Sequence, residues 1–298
     1  MRQNHSLLKV LKAGQQLLQI RGVETARLES ELMMAHVLGV PRHQLYLKEM
    51  PPLNEGQKKV FDEMLERRIK GEPLQYILGA WEFMGLKFYV DQRVLIPRPE
   101  TELLVEIIIR KVKSLKESTA VDILDLGTGS GAIAVSLACY LENAGITAVD
   151  IQEDALQVAE KNAAANGVFH KITFLHGDMF SPLDQFDEKK MYDIIVSNPP
   201  YIPTPAIQEL MTEVREFEPR TALDGGADGL YHYRIIAGSA WRYMKKDGII
   251  AMEFGENQAK KIQDLFLKTG VYENPEIYQD LRGMDRIAIF KKRQGVFA

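Results

Sequence analysis

The run Val121-Asp122-Ile123-Leu124-Asp125-Leu126, followed at once by Gly127-Thr128-Gly129-Ser130-Gly131 and then by a helix-compatible stretch from Ala132 to Leu141, constrains the fold more than any other part of this chain. An apolar run too short for a helix reads as a buried strand, and glycines at alternate positions let the backbone turn tightly into the next element. Strand, glycine turn and helix make the opening unit of a nucleotide-binding α/β fold. Bare glycine backbone lets a ligand come close, and N–H groups at the helix start favour a carboxylate or phosphate. A second apolar run, Ile146-Thr147-Ala148-Val149, ends at Asp150. It stands at about the 20-residue spacing where such folds place an acid on ribose hydroxyls.

The alternation continues downstream. A helix is predicted over 154–166, ended by Gly167, then a strand over 172–175, then Gly177-Asp178-Met179-Phe180 and the apolar run Tyr192-Asp193-Ile194-Ile195-Val196-Ser197. Further strands over 248–254 and 286–290 flank a helix over 257–269. Regular β/α alternation argues for a mostly parallel sheet with helices on both faces. Asp178 follows a strand's carboxyl end, where open α/β sheets bind ligands. It has two readings of similar weight: an acceptor for an adenine amino group, with Met179 packed on the ring, or a turn residue.

The glycine turn alone does not choose a chemistry, because Gly127, Gly129 and Ala132 also satisfy the fingerprint of dinucleotide enzymes. The choice comes from Asn198-Pro199-Pro200-Tyr201, directly after the run that ends at Ser197. Taken alone, Asn and Pro after a strand are an ordinary turn. Beside a nucleotide-binding turn they solve a particular problem, the methylation of a planar nitrogen whose lone pair is delocalised. Two acceptors aimed at its two N–H bonds draw such a nitrogen towards a tetrahedral shape. The Asn198 side-chain oxygen and a backbone carbonyl of the Pro-Pro segment supply them, held still because each proline fixes its own φ and restricts the residue before it. Tyr201 offers a flat face for a planar group. Hydride transfer has no use for this segment, so methyl transfer is preferred.

With 298 residues, two units are expected. No run approaches the roughly 18 apolar residues of a membrane span, and the N-terminus lacks a signal peptide's apolar core. A cytoplasmic location with no membrane association is the expectation. The one cysteine, Cys139, sits among Ser136, Leu137 and Ala138 and reads as a buried small residue. Six scattered histidines show no ligand spacing, so no metal site is expected; His176 reads as a strand-end residue. Net charge is −4, yet residues 1–75 carry 12 Lys and Arg against 9 Asp and Glu. A basic front and an acidic body place any contact with nucleic acid or ribosome on the front.

That front, residues 1–75, reads as all-helical. The first helix runs from Ser6 to Ile20 with Leu7, Leu8, Val10, Leu11, Leu17 and Leu18 on one face. A second starts at Thr25 as N-cap and carries Leu28, Leu32, Met33, His36 and Val37 to Gly39. A short third follows Pro41, with Leu45 and Leu47. Asn54 caps a fourth that reaches Lys70 and breaks at Gly71-Glu72-Pro73. Residues 76–95 change character, and the stretch from Tyr76 to Val90 around Gly79 and Gly85 suggests a connecting β-hairpin. In Val94-Leu95-Ile96-Pro97-Arg98-Pro99-Glu100-Thr101-Glu102 two prolines fix an extended entry into a helix. Arg98, Glu100 and Glu102 either cap that helix or form a charged loop at the pocket. Residues 96–298 form the catalytic unit.

The chain resembles the HemK/PrmC family of protein-glutamine methyltransferases over nearly its whole length. Besides Asn198 to Tyr201, the similar stretches are Gly71-Glu72-Pro73-Leu74-Gln75-Tyr76-Ile77-Leu78-Gly79, Ile96 to Glu102, and Glu218-Pro219-Arg220-Thr221-Ala222-Leu223-Asp224-Gly225-Gly226. The resemblance implies a class I S-adenosylmethionine-dependent methyltransferase, Rossmann-like with a mostly parallel sheet, and a small all-helical N-terminal domain joined by a β-hairpin. It implies methylation of the side-chain amide nitrogen of the glutamine in the Gly-Gly-Gln motif of class I peptide chain release factors, and so a role in translation termination. Carried over by position, Gly127, Thr128, Gly129, Ser130 and Gly131 hold the methionine part of S-adenosylmethionine, Asp150 its ribose, Asp178 and Met179 its adenine. Asn198 to Tyr201 hold the glutamine amide, with Asn198 also beside the cofactor. The family often carries an aromatic residue at the position of Met179. An adenine-N6 methyltransferase is the alternative, disfavoured by the acidic body, and stable nucleic-acid binding is not expected. A non-catalytic binding module is disfavoured because every cofactor position is filled.

Overall fold

The computed structural model describes residues 6–47, 51–114, 119–185, 189–293 and 295, which divide into two compact units. The first comprises residues up to Gly79 together with Met211–Phe217; the second holds the rest.

In the first unit α1 (Leu7–Ile20), α2 (Ala26–Leu38), α3 (Glu55–Ile69) and the short α4 (Leu74–Leu78) enclose a core. On α1 the buried positions are Leu7, Leu11, Gly14 and Leu18, a stripe three to four residues apart; Leu8 and Leu17 of the expected face point outward. α2 likewise buries Ala26, Glu29, Ser30, Met33 and Met34, leaving Leu28 and His36 exposed. Thr25 makes no side-chain cap on α2; its hydroxyl donates to Glu29 Oε1 at 2.8 Å. Asn54 does cap α3, in a reciprocal box with Gln57. The segment after Pro41 is a 3₁₀ turn, Arg42–Tyr46, with Leu45 buried and Leu47 exposed. The half of the expected hairpin before Gly79 is α4, with Gly79 its left-handed C-cap.

The hairpin itself is β1 (Trp81–Phe83) and β2 (Leu86–Phe88). Its turn is held by Glu102 accepting from the Met84 N–H at 2.5 Å and by the Tyr140 hydroxyl donating to the Met84 carbonyl at 2.6 Å. There follow α5 (Pro99–Lys113), β3 (Val121–Leu126), α6 (Ala132–Tyr140), β4 (Ala144–Asp150), α7 (Glu153–Ala165), β5 (Ile172–His176) and β6 (Tyr192–Ser197). Then come α8 (Thr212–Phe217), α9 (Tyr231–Ser239), β7 (Met244–Glu253), α10 (Ala259–Lys268), β8 (Glu276–Gln279) and β9 (Asp285–Lys291). Of these, α8 belongs to the first unit, where Arg68 bridges Glu29 on α2 and Glu213 on α8.

The seven-stranded sheet has the order β5-β4-β3-β6-β7-β9-β8, parallel except for β9, which runs antiparallel to both neighbours. Its central strands β3, β4 and β6 are buried at nearly every position because both faces are covered. Ile123, Ile146, Ile194 and Ile289 point to the side packed by α5 and α6, while Leu124, Ile195, Met252 and Phe290 point to the side of α9 and α10. The chain starts the sheet at β3, moves out to β5 and returns on the other side at β6. Strand order therefore reverses beside β3, and the carboxyl ends there open a crevice. Cys139 is partly exposed rather than buried, since it lies past the inward face of α6.

Candidate active site

A cavity occupies that crevice. Leu126, Gly127 and Gly129 from the end of β3, Asp150 from β4, Gly177 to Met179 after β5 and Asn198 to Pro200 after β6 all line it. The structure thus brings together eight of the expected positions: Gly127, Gly129, Asp150, Asp178, Met179, Asn198, Pro199 and Pro200. Thr128, Ser130, Gly131 and Tyr201 lie outside the lining. Thr128 is turned inward, its hydroxyl donating to Asp125 Oδ2 at 2.7 Å, and the Ser130 carbonyl accepts from Asn162 Nδ2 at 2.8 Å. Gly131 starts α6, where an added Cβ would meet the Ala159 methyl at 3.0 Å.

The turn after β3 has the form a ligand needs. Gly127 and Gly129 hold φ of 73° and 55°, a region that side chains disfavour. A Cβ at either would meet no atom within 4 Å, so the open face belongs to the cavity. The Asp150 carboxylate accepts from the Gly129 N–H at 2.8 Å and from the Gln152 N–H at 2.9 Å, which fixes it at the rim. Burial raises its pKa, against those hydrogen bonds. Asp125, behind the turn, is pushed up to about 7 by complete burial. Met179 sits at φ 49°, a left-handed conformation rare for a side-chain-bearing residue. Opposite, His232 in the first turn of α9 lines the cavity with a buried Nδ1 that has no partner, and burial lowers its pKa.

The Asn198 segment is clamped from several directions. The Ser197 hydroxyl donates to the Leu126 carbonyl at 2.7 Å, locking the ends of β6 and β3 together. Asn198 Nδ2 donates to Thr101 Oγ1 at 3.0 Å. Ile202 forms a bridge with Asp224, its N–H donating to the Leu223 carbonyl at 3.1 Å while the Gly225 N–H donates to the Ile202 carbonyl at 2.8 Å. Gln258 Nε2 donates to the Tyr201 carbonyl at 2.9 Å. Glycines make room: a Cβ on Gly225 would lie 2.8 Å from the Pro200 carbonyl oxygen, and one on Gly255 would lie 2.9 Å from the Tyr201 ring. Burial holds the Tyr201 phenol neutral, its pKa pushed up to about 12.

The charged residues of the 94–102 segment neither cap α5 nor ring the cavity. Arg98 is the N-cap position but makes no side-chain cap. It donates instead to Glu218 Oε1 at 2.6 Å, and Glu100 pairs with Arg282 at 2.8 Å. His232 lines the cavity, and Asp125, Glu253 and Gln258 bond to Thr128, Thr101 and Tyr201 behind it; nothing in the sequence points to these four. For Thr101 a signal was available, since it lies within a stretch singled out for its resemblance.

Two family models match this chain: a PrmC N-terminal domain over residues 9–79 and a methyltransferase domain over residues 117–283. The release factor glutamine methyltransferase of Geobacter sulfurreducens is 42% identical, covering 95% of this chain and 95% of that one. The chain belongs to the release factor glutamine methyltransferase family. Its counterpart from Moorella thermoacetica is 40% identical, with 92% of this chain and 94% of that one covered. Among solved structures, the human Mettl16 catalytic domain in complex with an RNA hairpin superposes with a TM-score of 0.55 at 15% identity, covering 82% of this chain and 83% of that one. At that identity the likeness is one of fold, a mostly parallel methyltransferase sheet. Among the described residues, no helix is long and apolar enough to cross a membrane, and no cluster of His, Cys, Asp and Glu is arranged to hold a metal.

Proposed function

We infer that this protein transfers a methyl group from S-adenosylmethionine to the side-chain amide nitrogen of the glutamine in the Gly-Gly-Gln motif of class I peptide chain release factors. The observation that carries the reading is that Asn198, Pro199 and Pro200 line the same cavity as Gly127, Gly129 and Asp150. Acceptors for a planar nitrogen and a nucleoside-binding turn therefore open on one space.

The residues fit the cofactor. The glycine turn leaves its face open, Asp150 offers a fixed carboxylate for ribose hydroxyls, and His232, with a buried, unpartnered Nδ1, lines the same cavity as Asp178 and Met179, the residues that would meet adenine. S-adenosylmethionine supplies an electrophilic methyl group. The protein's part is positioning and polarisation. Asn198 Oδ1 and a carbonyl of the Pro-Pro segment accept the two N–H bonds of the glutamine amide, and these bonds strengthen as the nitrogen gains positive charge. Once alkylated, the nitrogen is acidic and loses its proton to water, so no side chain is required as base. The neutral Tyr201, packed on Gly255, supports this segment from behind.

The helical unit, with its excess of basic residues over 1–75, serves in this reading to dock the release factor, since a glutamine side chain offers too few atoms for recognition. Stable nucleic-acid binding is not part of it, and the reaction is assigned to the cytoplasm. The test is incubation with radiolabelled S-adenosylmethionine and either a purified class I release factor or adenine-containing DNA and RNA. Label on the release factor alone is expected. Label on the nucleic acids alone would replace this reading with adenine methylation.

A further inference from the structure

An amide side chain has two ends, and only the oxygen end of Asn198 is of use to the reaction inferred above. The structure contains the device that decides which end faces the substrate. Asn198 Nδ2 donates to Thr101 Oγ1 at 3.0 Å, and that hydroxyl donates onward to Glu253 Oε2 at 2.6 Å. The three residues come from three elements: Asn198 just past β6, Thr101 in the first turn of α5 and Glu253 at the last position of β7. Thr101 is 4% exposed and Glu253 1% exposed, so water does not compete for these bonds.

A threonine hydroxyl carries one proton and two lone pairs. When the proton is committed to a carboxylate, only lone pairs remain for the other neighbour. An acceptor facing an amide selects its NH2 end and rejects its oxygen. With Glu253 ionised, the chain of donors has a single direction, from Asn198 through Thr101 to Glu253. We propose that Thr101 and Glu253 are positioning residues for methyl transfer, a two-residue relay that fixes the Asn198 amide with Nδ2 inward and Oδ1 towards the substrate nitrogen. The proposal rests on Asn198 being the acceptor of the reaction.

The relay explains two features that packing leaves open. Glu253 is buried at the end of β7 with a hydroxyl, rather than a cation, hydrogen-bonded to its Oε2. And Thr101 reaches across 97 positions of sequence to touch Asn198, although α5 has its own apolar stripe of Leu104, Val105, Ile107 and Ile108 to pack on the sheet. Without the carboxylate, the Thr101 proton is free to turn to Asn198 Oδ1, and the amide flips with it. Its NH2 end would then confront the substrate's own NH2.

The test uses the full-length protein and compares kcat with cofactor affinity. Thr101→Val keeps the shape and removes the hydroxyl; Glu253→Leu removes the acceptor from the far end. Each is expected to lower kcat at least tenfold while the calorimetric Kd for S-adenosylmethionine stays within about twofold. Thr101→Ser, which restores the hydroxyl, is expected to recover most of the loss seen in Thr101→Val. Either folded variant retaining kcat within twofold of the parent, alongside an inactive Asn198→Ala, overturns the relay and leaves the role of Asn198 intact. If Thr101→Val does not fold, Glu253→Leu decides by the same criterion. An active Asn198→Ala instead removes the reading on which the relay rests.

Discussion

The α-carbon of Gly229 faces the carbonyl oxygen of Tyr201 so closely that a Cβ built there would lie 2.4 Å from it. Gly229 also holds φ at 75°, so both space and backbone conformation exclude a side chain. The contact matters because Tyr201 ends the segment that presents Asn198. Gly229→Ala is expected to cost on the order of 1–3 kcal/mol of stability and to lower kcat by displacing Tyr201. Thermal unfolding and initial rates check this; a variant as stable and as active as the parent would show that the segment tolerates movement.

Asp150 is tied to the Gly129 N–H at 2.8 Å, so it shapes the turn as well as presenting a carboxylate. Asp150→Ala is expected to weaken S-adenosylmethionine binding by about tenfold to a hundredfold, the range of lost charge-assisted hydrogen bonds. Isothermal calorimetry reads the effect directly. An unchanged Kd would move the ribose contact to another residue.

Glu253 and Asp125 are both pushed up to about 7 by burial. An acid whose folded-state pKa lies above its unfolded one adds stability that is full below the unfolded value and is lost as pH rises through the folded value. Between pH 5 and pH 8 each therefore withdraws support from the fold. Relative to the parent, Glu253→Gln is expected to gain roughly 2 kcal/mol over that interval, at about 1.4 kcal/mol for each tenfold difference in proton affinity between the folded and unfolded chain. Denaturant unfolding at the two pH values gives the difference. A constant difference would mean that Glu253 keeps an ordinary carboxylate pKa when folded.

The α/β sheet was legible in the sequence because its strands are short, apolar and flanked by glycine or polar breaks. Val121 to Leu126 and Tyr192 to Ser197 coincide with β3 and β6. The glycine turn and Asn198 were legible because each chemistry is carried by adjacent residues. What holds Asn198 was not. Thr101 and Glu253 stand 152 positions apart, and nothing local to either announces that they meet. The same holds for Gly225, Gly229 and Gly255, whose purpose is visible only when Pro200 and Tyr201 lie against them. Tyr76 to Leu78 lie in a helix rather than in the hairpin because Pro73 starts a turn that Gly79 can close; their β-branched and aromatic content pointed the other way. Outward-facing Leu8 and Leu17 show the limit of apolar counting on a helix with more leucines than its core face can take.

The helical unit has its own apolar core and a built capping box, so its role can be tested by removal. Deleting residues 1–75 is expected to leave S-adenosylmethionine affinity within a few-fold while lowering kcat/KM for the intact release factor far more than for a short Gly-Gly-Gln peptide. Steady-state kinetics on both substrates makes the comparison. Equal losses on the two would mean that the unit acts on the catalytic domain and not on docking.

Tandem mass spectrometry of a class I release factor incubated with S-adenosylmethionine and either the parent protein or Asn198→Ala separates glutamine methylation from its alternatives. One added methyl group on the glutamine of the Gly-Gly-Gln peptide is expected with the parent, and a rate lower by on the order of 100-fold with the variant, as for loss of one oriented active-site group. A methyl group on another residue, no methylation at all, or a folded Asn198→Ala within about fivefold of the parent would contradict the account.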